Sequence, residues 1–118
     1  MTEIEKFQKD SQRANTNLLL MGLLHFFFAF FASLGYAIHL EYWKPFWVAT
    51  LTAIGSIIVA MIIGFIIGAA IGASGGSAES AGIVGLIIGI PIGFIPPVVS
   101  FLMFRSRILA LRQRVMAA

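Results

Sequence analysis

Polar and apolar positions divide the chain into one short polar stretch and three long apolar ones. Residues 1–16 are rich in acids and bases, with Ile4, Phe7, Ser11 and Ala14 at helical spacing on one face, which predicts a short polar helix. Thr2 and Glu5 stand three residues apart at its start, the spacing at which a hydroxyl and a carboxylate each satisfy a free backbone N–H. Apolar runs then cover 18–40, 46–73 and 81–104. Each exceeds the roughly 20 helical residues that cross a hydrocarbon layer of about 30 Å. The predicted fold is an all-α integral membrane protein with three transmembrane helices in one membrane domain over 1–118. Residues 105–118 form a basic tail.

The joints between runs have their own chemistry. Tyr36, Tyr42, Trp43 and Trp47 bracket the first connector, as expected where amphipathic rings sit between hydrocarbon and water. Pro45 suits the first turn of a helix, where its missing N–H costs nothing. The segment Ser74-Gly75-Gly76-Ser77-Ala78-Glu79-Ser80 reads as a turn. Pro91, Pro96 and Pro97 lie inside the third run, predicting a kink near Gly89–Pro91 and a stronger break at Pro96-Pro97.

Glycine is the most distinctive feature of the last two runs. Gly64, Gly68 and Gly72 recur every four residues, as do Gly85, Gly89 and Gly93. Segments 62–73 and 83–94 align without gaps, with 7 of 12 positions identical. Folded back about the turn, Gly72 comes level with Gly85, Gly68 with Gly89 and Gly64 with Gly93. Membrane helices associate by close backbone contact, which small residues permit. A glycine-zipper hairpin is therefore expected, with a seam inside the hairpin or between copies in a homo-oligomer. The stripe resembles that of the rotor-ring subunits of ATP synthases, but neither helix has a carboxylate and the turn is not basic, so no membership follows.

Composition removes most function classes. The chain is 59% hydrophobic and 11% charged, against about 25% charged in soluble domains. It contains no cysteine, which excludes disulfides, thiolate metal sites and cysteine nucleophiles. The net charge of +3 comes from basic residues near the chain ends, a pattern of membrane anchoring rather than nucleic-acid binding. No cleavable signal is expected, because a polar segment with Glu3, Glu5 and Asp10 precedes a long apolar run. Arg105, Arg107, Arg112 and Arg114 are expected to reach lipid headgroups. Three spans place the termini on opposite sides, and the basic residues favour a cytoplasmic C-terminus. The membrane itself (bacterial inner, thylakoid or organelle) is not readable.

Two histidines are the candidates for chemistry. His25 lies well inside the first run, where a polar group is costly and a functional candidate. His39 follows 14 residues later, on the same face and ~21 Å along a straight helix. That spacing resembles the one at which four-helix b-type cytochromes hold two haems, and a chlorophyll needs only one axial imidazole. Paired carboxylates, metal clusters, phosphate loops and nucleophile–base arrangements are not evident, so no catalytic residue, metal or resident cofactor is expected beyond a haem or chlorophyll at His25 or His39. The function expected is a non-catalytic accessory or assembly subunit of a membrane complex, with other membrane subunits and lipid as partners. A small holin-like or channel-like pore and a tetrapyrrole-binding subunit are the alternatives.

Overall fold

Helix α1 (Glu3–Ala14) begins where its capping box predicts. Glu5 N–H donates to Thr2 Oγ1 at 3.2 Å and Thr2 N–H donates to Glu5 Oε2 at 3.0 Å. The computed structural model describes residues 2–117, and every element among them is helical. The chain divides into two compact units, one formed by the residues up to Ala49 with those from Pro97 on, the other by Thr50–Pro96.

The first apolar run departs most from expectation. Instead of one helix over 18–40 it forms α2 (Leu18–Phe27) and α3 (Ala29–Leu40), broken at Phe28 with φ −132° and ψ 45°. Contacts show that the arms fold back on each other. The rings of His25 and Tyr36 are 5.7 Å apart, although 11 residues of straight helix span about 16 Å. At the base, Thr16 Oγ1 lies 3.3 Å from His39 Nε2, and Arg13 pairs with Glu41 at 2.8 Å. The physical reason lies in the polar groups. A straight span would carry His25 through hydrocarbon with its ring unpaired; the bend gives it protein partners and lets Arg13 meet Glu41. Asn17 caps α2, accepting from Leu20 N–H at 3.1 Å.

The later part of α6 (Ile95–Ala117) packs along this hairpin. Met21, Ala37, Leu40, Phe46, Phe104 and Ile108 form a common buried cluster. Ser100 sits by His25 and Arg112 by Ala14, so α6 runs antiparallel to α2. Gly22 makes the approach close: a Cβ there would lie 3.3 Å from the Phe101 ring. At the far end of α3, Glu41 takes a left-handed conformation, φ 49°. The chain then enters α4 (Lys44–Ala73), with Pro45 in the first turn as expected.

The second unit has a different physical character. Helix α4 has 30 residues, about 45 Å. The turn behind it uses Gly75 at φ 79°, and Gly76 fits directly against Ile71. Ser77 caps α5 (Ala78–Gly93), accepting from Ser80 N–H at 3.1 Å. That cap starts the helix three residues before the predicted Ala81. Pro91 lies within α5. The break falls at Phe94, just before Pro96-Pro97, which occupy the first turn of α6 and so lose few helical bonds. No residue from Thr50 to Val99 is buried, and large side chains such as Phe65 stand 79% exposed. Helix α4 and the α5–α6 stretch are each long and apolar enough to cross a membrane.

Within the chain, the close-packed glycine seam is not formed. A Cβ added at Gly64, Gly68, Gly72, Gly85, Gly89 or Gly93 would meet nothing within 4 Å. Gly64, Gly85 and Gly89 instead line a cleft of about 60 Å³ between α4 and α5, together with Ile63, Ile67 and Ile88. Gly64 shares this lining with Gly85 and Gly89, and Gly93 is not part of it. Branched isoleucines line the same cleft, and the glycines border a gap.

Glycine sensitivity should therefore be greatest outside the repeat. Gly22→Leu is expected to push α6 off α2 and cost about 1–3 kcal/mol, as overpacking does. Gly68→Ala, facing open space, should change stability by no more than about 0.5 kcal/mol. Thermal unfolding of the two variants in the same mild detergent compares them directly.

Candidate functional site

The bend at Phe28 delivers His25 to a polar cluster inside the first unit. His25 is 2% exposed, Ser33 3% and Ser100 1%. His25 Nδ1 donates to the Met21 carbonyl at 2.8 Å. With that proton on Nδ1, Nε2 of the neutral ring accepts from the Ser100 hydroxyl at 3.1 Å. Ser33 then donates to Ser100 at 2.9 Å. The chain Ser33→Ser100→His25→Met21 joins α3, α6 and α2 in one directional series.

Aromatic rings enclose it. The His25 ring stacks on Tyr36 at 5.7 Å and meets Phe104 at 5.8 Å and Phe101 at 6.1 Å. An unsatisfied imidazole in such a setting would carry a large desolvation cost. Here both nitrogens are engaged and the rings fill the remaining space. Ser100 and His25 have the separation of a nucleophile and its base, and both are buried among these rings.

An axial bond from His25 Nε2 to a haem or chlorophyll would require breaking the Ser100 bond and opening this core. His39 lies on α3 beyond Tyr36, its ring 6.4 Å from that of Tyr36. Thr16 Oγ1 already donates to the Arg13 carbonyl at 2.6 Å, so His39 Nε2 donates to Thr16. The two imidazoles, expected on one face of a straight helix, stand on opposite arms of a hairpin with Tyr36 between them. Among the described residues no group of three or more His, Cys, Asp or Glu side chains is arranged to hold a metal ion.

The basic tail divides into distinct roles. Arg105 is exposed. Arg112, expected at lipid headgroups, turns inward. Its Nε donates to the Ala14 carbonyl at 2.8 Å and an Nη to the Thr16 carbonyl at 2.9 Å, serving acceptors left free where α1 ends. Arg114 lies 3.8 Å from Asp10, and Arg107 lies over the Tyr42 ring at 5.3 Å.

Ser33, Ser100 and Tyr36 were not foreseen as partners of His25. The signal was present: Ser33 and Ser100 are the single serines of their apolar runs, and isolated hydroxyls at membrane depth tend to find a polar partner. No family model, curated protein or solved structure matches the chain.

The polar series should behave as one coupled unit. Ser100→Ala leaves His25 Nε2 and Ser33 without their shared partner, which is expected to cost about 1–3 kcal/mol. His25→Phe with Ser100→Ala removes both ends, so the double variant should be less destabilised than the sum of the singles. A double-mutant cycle on unfolding midpoints measures the coupling; strict additivity would contradict the clasp.

Proposed function

We propose that the chain is a non-catalytic integral membrane protein that serves as a structural or assembly subunit of a membrane complex. The observation that carries this reading is the second unit. Its two helices are apolar all round, and nothing between Thr50 and Val99 is buried. Lipid solvates such helices, but it does not fill a glycine-lined cleft as well as a shaped protein surface does. In this reading the cleft face and the remaining glycines receive another membrane subunit or a second copy. A wet pore draws little support, since the cleft is lined by Ala, Ile and Gly alone.

The proposed topology has two spanning helices, α4 and the α5–α6 stretch. The α2–α3 hairpin is too short to cross: 10 and 12 residues reach about 15–18 Å. It enters and leaves on one side, as non-spanning backbone does when it packs against protein. The contacts of Arg112 and Arg114 with α1 support both termini being on that side. Every Lys and Arg then falls on the same side: Lys6, Lys9, Arg13, Lys44 and the four arginines of α6. The excess of basic residues assigns that side to the cytoplasm or its equivalent. The re-entrant arrangement replaces three spans, and it satisfies the charge pattern better.

Single cysteines in this cysteine-free chain test the topology. Ser11→Cys and Ala117→Cys should both resist an impermeant maleimide in intact cells, whereas Ser77→Cys, in the turn, should label. Opposite labelling of the two ends would restore the three-span arrangement.

Native mass after mild detergent extraction tests the subunit reading. The wild-type chain should run with a partner or further copies. Gly68→Ile should lower that mass while leaving the unfolding midpoint of the isolated chain unchanged, because its side chain enters space that only an associating surface occupies. A monomeric wild-type chain in native-lipid nanodiscs would defeat the proposal.

A further inference from the structure

We propose that the basic hollow between α1 and the end of α6 is a binding site for a phosphate group, carried by an anionic phospholipid or by a soluble phosphate. Lys6, Lys9, Asp10 and Arg13 of α1 line a cavity of about 340 Å³ with Glu41, Arg107 and Arg114. Five cations against two carboxylates give it an excess of three positive charges, equal to the net charge of the whole chain, +3. All of these residues belong to the first unit.

The carboxylates are already engaged. Asp10 lies 4.0 Å from Arg13 and 3.8 Å from Arg114, and Glu41 meets Arg13 at 2.8 Å. Among the described residues Lys6, Lys9 and Arg107 have no carboxylate partner. Arg107 is the decisive one. Its guanidinium lies over Tyr42 at 5.3 Å, and its Nε is buried without a hydrogen-bond partner. A buried guanidinium donor left unpaired is costly. Arg107 as a whole lines the cavity and has no carboxylate partner among the described residues, so its terminal guanidinium N–H groups are the ones suited to a charge-assisted bond with a phosphate oxygen there, in the fork geometry that suits phosphate. Lys6 and Lys9 are exposed and add point charges to the lining. Asp10 and Glu41 offset part of the charge of Arg13 and Arg114, so Lys6, Lys9 and Arg107 are the lining cations without a carboxylate partner among the described residues. The phosphate chemistry rests on these contacts and not on the subunit reading above.

The experiment uses the full chain in neutral detergent and reads the unfolding midpoint, which rises with any ligand that binds the folded state. Three probes are titrated at matched ionic strength: phosphatidylglycerol, phosphatidylcholine with the same acyl chains, and inorganic phosphate against chloride. Stabilisation by phosphatidylglycerol alone identifies a lipid headgroup. Stabilisation by inorganic phosphate as well identifies a site open to soluble phosphates. In either case Arg107→Gln should weaken the effect about tenfold or more, while Arg105→Gln, outside the cavity, should retain it. Lys9→Gln, at an exposed position, should weaken it several-fold and decides the matter if Arg107→Gln fails to fold. No stabilisation by any probe, or equal losses in Arg105→Gln and Lys9→Gln, would overturn the site.

Discussion

A buried imidazole must have both of its nitrogens satisfied, and much of the first unit can be understood from that requirement at His25. The Met21 carbonyl lies on the ring's own helix and takes one nitrogen. The other needs a partner from elsewhere in the chain. Ser100 supplies it, and Ser33 completes the series by donating to Ser100. Three elements are thereby fixed at a common level. The fold-back at Phe28, the close approach at Gly22 and the ring stack with Tyr36 are all consistent with that one constraint. In hydrocarbon such a clasp has greater consequence than in water, because no solvent competes for the groups if it opens.

The base of the hairpin repeats the logic with charge. Arg112 donates to two carbonyls that the end of α1 leaves free. Arg13 ties α1 to Glu41 at the other foot of the hairpin. A polar N-terminal helix is thus held to the last helix by guanidinium bonds to backbone carbonyls and to the end of α3 by a guanidinium–carboxylate bond, contacts typically stronger than neutral ones. Guanidinium suits this work better than ammonium because its planar fork engages two acceptors at once.

Local rules were legible in the sequence, and long-range pairing was not. The capping box at Thr2 and Glu5 and Pro45 in a first turn follow from residues a few positions apart, and each is present; the turn expected over 74–80 begins as expected but ends at Ser77, where the cap starts α5. The extent of α4 follows from its uninterrupted apolar run. The bend at Phe28 carries no such mark, since neither glycine nor proline stands there. Length alone favoured one span over 18–40. What decides otherwise is the meeting of His25 with Ser100, 75 residues away, which no periodicity encodes. The glycine seam is absent within the chain for a related reason. Spacing shows which face small residues occupy, but not how near the larger residues beside them let the helices come.

The two units thus solve the same solvent problem in different ways. The first satisfies itself: aromatic and aliphatic side chains enclose its polar series, and arginines serve its loose backbone ends. The second has no interior of its own. Helices with apolar residues on every face gain little from meeting in lipid, because the tails are as apolar as isoleucine. What distinguishes one face from another is then shape alone, and the glycine stripes supply shape without chemistry. A clasp built on hydrogen bonds specifies one internal arrangement, whereas a smooth, indented apolar surface leaves its arrangement to whatever fits it. On the proposed subunit reading, the chain is a fixed polar anchor joined to a surface whose packing is completed from outside.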